Sequence, residues 1–171
     1  MSRFKIFALI ALFTFAFGVA LGSDALAGEK FKGRTVWYST KFEQVGVPGE
    51  EKHFMALQDV KGIGSNTEGK AFGEGTVERK VEILDIDLKS ETGISHGYQE
   101  STDRDGNKIY YRTEGRRIKG KFWASVWEGK STILRGTGKY EGIRGEGTFS
   151  SYPIAPMQHY VDWEMEVELP R

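Results

Sequence analysis

The chain has 171 residues, with 24 basic and 24 acidic side chains and no cysteine. The lack of cysteine excludes disulfides, thiolate metal sites and cysteine nucleophiles. A formal net charge of zero gives no overall field toward nucleic acid or an anionic membrane surface, so neither is an expected partner.

The N-terminal segment has the pattern of a secretory signal peptide. Arg3 and Lys5 precede an apolar run of about 16 residues, and Ala25-Leu26-Ala27 supplies the small residues of a cleavage site. A retained membrane anchor is the alternative, although the run is short for a span of roughly 20 residues. We expect residues 1–27 to be removed, leaving one domain over residues 28–171 with no stable membrane anchor. A disulfide-free exported chain favours a periplasmic or secreted location in a bacterial envelope.

Strand patterns and turn residues fill the rest of the chain, without heptads or a sustained helical period. The last strand is the clearest, because apolar residues alternate there with acidic and polar ones. The predicted strands are Arg34–Phe42, His53–Val60, Thr76–Leu88, Ile94–Thr102, Lys108–Glu114, Lys121–Trp127, Ser131–Arg135, Gly145–Ser151 and Met157–Leu169.

Turn residues separate these strands. Gly62–Gly75 is polar and glycine-rich and is predicted to be a loop. Asp103–Asn107 contains Asp-Gly, and Glu128–Lys130 contains a central glycine, so each predicts a tight hairpin. Within Thr76–Leu88 the apolar residues change parity midway, which predicts a β-bulge.

The segment Ile133–Phe149 holds five glycines among β-type residues. This spacing suits strands that bend and turn sharply, because glycine tolerates positive φ and close backbone approach. About eight or nine antiparallel strands must leave edges or close on themselves. We therefore predict an all-β fold, a small closed antiparallel β-barrel of about eight strands. A two-sheet sandwich is the alternative.

Two segments resemble a known family. Thr102–Ile109 (TDRDGNKI) resembles the T-D-x-D-G-D-K-I/L hairpin of bacterial proteins with an allene oxide cyclase-like barrel. Gly136–Gly147 (GTGKYEGIRGEG) resembles their G-T-G-K-Y-x-G-I-x-G-x-G segment and, more distantly, plant dirigent proteins. The resemblance covers roughly residues 73–169. Asn107 departs from the family pattern, which often has Asp there.

The resemblance implies a barrel fold more than an activity, since both segments are turn and barrel-closure signatures. The plant relatives are a fatty-acid epoxide cyclase and guides of phenoxy-radical coupling, and many bacterial members have no known activity. No family active-site motif aligns with particular residues of this chain. Family members often form oligomers. In each of the adjacent aromatic pairs Trp37-Tyr38 and Tyr110-Tyr111 one member must face outward, so these pairs are candidates for an exposed interface. A homo-oligomer is therefore an expected partner state.

One predicted strand carries the candidate catalytic residues. His96, Tyr98, Glu100 and Thr102 share one face of their strand, because residues two apart point the same way. If that face points into the barrel, Glu100 can act as acid or base while His96 or Tyr98 orients a substrate, provided that burial shifts their pKa values. The alternative is that His96 and Glu100 face water.

Aromatic residues on two later strands are the candidate ligand-binding residues. Trp123 and Trp127 share one strand face, and His159 and Trp163 lie on the apolar face of the last strand. Turned inward, these side chains form aromatic walls with a few polar groups, as ligand pockets do. The alternative is that they only fill a small barrel core.

Neither a cofactor nor a metal ion is expected. The glycine spacing in Gly136–Gly147 is not G-x-G-x-x-G, and no helix follows it to bind a phosphate. Asp103–Asn107 partly mimics a calcium loop, but Lys108 occupies the position of the required glycine. The three histidines do not have the spacing of a local metal site.

Three functions remain open. The first is an exported barrel that binds a small hydrophobic or aromatic molecule, which the aromatic content and the lack of a sharp catalytic motif favour. The second is a cyclase or isomerase, as the resemblance implies, so that enzymatic activity is uncertain. The third is a non-catalytic envelope or interaction protein with a filled barrel. An open interior separates the first two functions from the third.

Overall fold

A computed structural model describes residues 28–69, 75–121 and 124–169, so the predicted signal peptide lies outside the described residues. The eight strands of the described parts form one closed antiparallel barrel, in which each strand pairs with the next and β8 pairs with β1. The predicted all-β barrel is confirmed. The strands are β1 (Glu29–Gly46), β2 (His53–Glu68), β3 (Thr76–Asp87), β4 (Thr92–Thr102), β5 (Lys108–Lys119), β6 (Val126–Gly136), β7 (Arg144–Ala155) and β8 (Gln158–Glu168). Over the same residues, no helix is long and apolar enough to cross a membrane.

Two predicted turns are wrong, because the glycines that suggested them lie within strands and allow a neighbouring group to approach the backbone closely. β2 continues to Glu68, so the loop predicted from Gly62 does not begin there. β6 runs straight through the hairpin predicted at Glu128–Lys130. A Cβ on Gly62 would lie 2.7 Å from the carbonyl oxygen of Val36, and one on Gly129 would collide with the Phe149 ring. Glycine at these strand positions makes room for a neighbour.

The β-bulge predicted in β3 is also wrong. β3 pairs with β2 and β4 without a register shift. Strict alternation places Val77 and Ile83 outside, 67% and 51% exposed, and turns charged residues inward. The inward face of β3 consists of Glu78, Lys80, Glu82, Leu84 and Ile86, all buried.

Apolar clusters occupy both ends of the barrel interior. The first lies at the end where β8 finishes and includes Phe31, Ile109, Tyr140 and Val167. The second lies near the β1–β2 and β3–β4 hairpins and includes Phe54, Ala56, Leu84 and Ile86. Each cluster removes apolar surface from water and stabilises one end of the closed sheet.

The two segments that carry the family resemblance contact each other. A 3-10 turn, Gly138–Tyr140, follows β6 and contacts the β4–β5 hairpin. Lys139 forms ion pairs of 2.7 Å with Asp103 and 3.1 Å with Asp105. Gly138 has a φ of +58°, and a Cβ there would collide with the Asn107 side chain. The segments thus form one turn assembly, defined here as Asp103–Asn107 with Thr137–Tyr140, beside the first apolar cluster.

Candidate ligand cavity

The barrel encloses a cavity of about 220 Å³ between its two apolar ends. This is more than the 150 Å³ or so that accommodates benzene in an apolar core. Aromatic side chains from five strands and polar side chains from β3 and β4 line the space together. The aromatic lining residues are Trp37, Phe42, Tyr111, Trp127, Phe149 and Trp163. A cavity of this size and composition suits one small, flat molecule.

The cavity reaches the surface beside the β7–β8 turn. Pro156, Met157 and Gln158 line the cavity and are themselves exposed. Met157 adopts a φ of +64°, which completes the tight connection between the two strands. The cavity lining therefore includes solvent-exposed residues at this end of the barrel.

Glu78 is the most deeply enclosed acid in the lining. Its side chain is on the inward face of β3, and the residue is 4% exposed. The hydroxyl of Thr76 donates to Oε1 at 2.9 Å, and Nε2 of Gln99 donates to Oε2 at 3.0 Å. Burial raises the pKa of Glu78 to about 7, while hydrogen bonds from Thr76, Thr35 and Ser101 and, least of all, the positive charge of Lys80 oppose the rise. Glu78 therefore changes charge near neutral pH.

The other inward charges on β3 form a pair. Nζ of Lys80 lies 2.9 Å from Oε2 of Glu82, and both side chains are about nine-tenths buried. The same ammonium lies 5.8 Å from the centroid of the Phe149 ring. Mutual neutralisation lets both charges remain in the interior.

His159 gives the cavity a neutral imidazole. Burial lowers the pKa of His159 to about 3, and the positive charge of Lys80 lowers it further. Among the described residues, no side chain or backbone group forms a hydrogen bond with this ring. His159 therefore offers one donor and one acceptor to a molecule in the cavity.

Three of the four predicted ligand-binding residues line this cavity. Trp127 enters from β6, and His159 and Trp163 enter from β8. The indole nitrogen of Trp163 donates to Oγ1 of Thr35 at 3.2 Å, which holds its ring against β1. Trp123 lies outside the described residues. Whether these residues contact a ligand stays a prediction.

The inward orientation considered for the candidate catalytic residues is wrong. His96 is exposed and Tyr98 is 66% exposed, on the outer face of β4. Glu100 shares that outer face, where its hydrogen bond from Lys108 at 2.8 Å lowers its pKa. Exposed apolar side chains of Val81 and Ile83 lie beside Tyr98 and His96 in the register. The homo-oligomer expected from exposed aromatic residues stays a prediction.

The opposite face of β4 is the one that lines the cavity. Ser95, Gln99 and Ser101 point inward, and the sequence interpretation misses them because they are small or polar. It misses Glu78 because the apolar residues of β3 suggest a bulge. Unbroken alternation in β3 is the signal that could have revealed Glu78, since it aligns Glu78, Lys80 and Glu82 on one face.

A scan against protein-family models finds no match, and a search of curated proteins finds no similar sequence. The fold and the cavity therefore carry the functional interpretation. Among the described residues, no group of three or more histidine or acidic side chains could hold a metal ion.

Proposed function

We propose that this protein is an exported β-barrel that binds a small apolar or aromatic molecule inside the barrel. The single observation that carries the proposal is the cavity of about 220 Å³, which is lined by aromatic side chains and by exposed residues of the β7–β8 turn. A filled barrel that acts only through its surface would leave no such space. The signal-type sequence at residues 1–27 supports export.

Native mass spectrometry of the domain purified gently from its own host's envelope tests the proposal directly. A bound molecule gives a reproducible mass excess over residues 28–171 that disappears on denaturation. A clean apo mass, together with no binding of any small aromatic compound in solution, would favour the filled-barrel alternative.

A matched pair of substitutions on β7 locates the binding. Ser151 is buried and lines the cavity, whereas Ser150 points to the opposite face of the strand. We expect Ser151→Phe to fill the space and abolish the mass excess, and Ser150→Phe to retain it. Quenching of tryptophan fluorescence provides a second readout, because three tryptophans line the cavity. Equal retention of ligand by two folded variants would place the site elsewhere.

A further inference from the structure

We propose that the occupant is an arylalkylamine, with one or two flat rings among the cavity's aromatic walls and a protonated aliphatic nitrogen beside the Glu78 carboxylate. This inference rests on the proposed function and specifies its ligand class. Three observations support it: Glu78 is buried among neutral hydrogen-bond donors, the cavity lining carries a net negative charge when Glu78 is ionised, and aromatic side chains lie next to this acid.

Glu78 has neutral hydrogen-bond donors but no ion-pair partner in the described residues, and the charge of Lys80, which is paired with Glu82, lowers its pKa less than any of the three opposing hydrogen bonds does. Its donors are the neutral side chains of Thr76, Gln99, Thr35 and Ser101. Within the part of the chain that the structure describes, no basic side chain forms an ion pair with this carboxylate. A buried carboxylate that accepts several hydrogen bonds still lacks a compensating charge. An ammonium group supplies that charge and a further charge-assisted hydrogen bond.

The other charged residues of the lining do not form an ion pair with the Glu78 carboxylate. The ammonium group of Lys80 forms an ion pair with Glu82, and the imidazole of His159 is neutral above about pH 3. The lining therefore carries one net negative charge when Glu78 is ionised. The groups that face Glu78 from the neighbouring strands are otherwise uncharged: Thr35 on β1, Asn66 on β2, Gln99 and Ser101 on β4, Tyr111 on β5 and Trp163 on β8. A carboxylate ligand would be repelled, whereas a cation would be attracted.

Aromatic surface adjoins the carboxylate. The Trp163 indole donates to Thr35, and Thr35 in turn donates to Glu78, so the ring is fixed close to the acid. Trp37 and Phe149 line the same space. An aromatic ring can stack on these walls, and its ammonium gains cation–π attraction in addition to the ion pair. The cavity volume limits the molecule to one or two rings.

The test compares three probes of nearly equal shape: tryptamine, 3-ethylindole and indole-3-acetate. Calorimetric titration near pH 8 measures each affinity for the folded domain, since an alkylamine remains protonated there, with a pKa of about 10. We expect tryptamine to bind about tenfold or more tightly than 3-ethylindole, as a charge-assisted hydrogen bond predicts. Indole-3-acetate should bind most weakly.

Glu78→Gln keeps the shape and polarity of the side chain and removes its charge. We expect this variant to lose the preference for tryptamine while retaining affinity for 3-ethylindole. Glu100→Gln, on the outer face of β4, is the matched control and should retain the preference. In the unaltered protein, tryptamine affinity should rise about tenfold from pH 6 to pH 8 as Glu78 ionises, whereas the affinity for 3-ethylindole should not.

The outcomes separate this inference from the proposed function. Equal affinity for tryptamine and 3-ethylindole, or a tryptamine preference that survives in Glu78→Gln, overturns the amine assignment and leaves a neutral-ligand barrel. Preferred binding of indole-3-acetate overturns it in favour of an anionic ligand. Failure of all three probes, with an apo mass for the native protein, overturns the proposed function itself.

Discussion

At the residue scale, the distinguishing feature of the barrel interior is a row of three charged side chains on β3. Glu78, Lys80 and Glu82 follow one another on a single strand face, and all three are buried. The last two neutralise each other at 2.9 Å, whereas the first depends on neutral donors. Of these two buried acids, both of which line the cavity, only Glu78 has no ion-pair partner. Its protonation state therefore links binding to stability.

Glu78 predicts a pH dependence of folding. Its pKa is about 7 in the folded protein against an ordinary value of 4.5, so the folded state holds the proton more tightly than the unfolded chain does. The contribution of Glu78 to stability should therefore be greatest below the unfolded pKa, fall as the pH rises through this interval, and level off above about 7. Glu78→Gln should remove this decline and stabilise the protein by about 3 kcal/mol near pH 8.

Urea unfolding of the unaltered protein and of Glu78→Gln, near pH 5 and near pH 8, measures the effect. Glu100→Gln is the control, because its exposed carboxylate has a lowered pKa and an ion-pair partner in Lys108. An identical pH profile for the unaltered protein and Glu78→Gln would show that Glu78 is solvated in the folded state.

The different pKa values of His53 and His159 lead to a prediction that NMR spectroscopy can test. Hydrogen bonds to Glu50 and Asp85 raise the pKa of His53 to about 9, whereas burial lowers that of His159 to about 3. In an NMR titration, the His53 ring signals should shift near pH 9, and the His159 signals should stay constant from pH 5 upward. A His159 midpoint near 6.5, its ordinary value, would indicate a hydrated ring outside the cavity. Bound tryptamine should also perturb the His159 signals.

At the scale of strands and turns, the pattern of apolar residues predicts where the strands lie better than it predicts which side of each strand faces the barrel interior. The prediction for the last strand is correct, because Val161, Met165 and Val167 are apolar and buried. For β4 the sequence leaves both orientations open, and the structure has His96 and Tyr98 facing water. The inward side of β4 consists of small and polar residues that a cavity tolerates and a filled core does not. The usual rule that apolar residues point inward weakens wherever a barrel encloses space. This limit also hides Glu78 from sequence interpretation.

Within the turn assembly, we expect the stability of the domain to be sensitive to substitution of Gly138. Gly138 combines a φ of +58° with close contact to Asn107. Gly138→Ala should destabilise the domain by about 1–3 kcal/mol through backbone strain and steric overlap. Gly106→Ala is the matched comparison, since Gly106 also has a positive φ of +84° but open space around it. Thermal unfolding should rank Gly138→Ala as the more damaging change; the reverse order would show that the Asn107 contact is unimportant.

At the scale of the whole molecule, closure of the sheet is what creates the cavity. Strand number and alternation predict about eight antiparallel strands and favour a barrel, with a two-sheet sandwich as the alternative. They cannot predict whether the interior of the barrel is full, because packing depends on how side chains from opposite walls meet. Glycines at strand positions add to this uncertainty: Gly62 and Gly129 resemble turn residues in the sequence, yet they admit neighbouring groups within the wall.

The pairing of β1 with β8 has a topological consequence. Glu29 lies opposite Val167 in the register, so the first and last strands of the domain meet side by side. A short linker can join them, and the covalent chain can then begin at another hairpin without changing the order of strands around the barrel. The Val47–Lys52 connection is the natural place for such a circular permutation. The hairpin at Asp103–Asn107 is not, because Lys139 forms ion pairs between it and the neighbouring Thr137–Tyr140 turn.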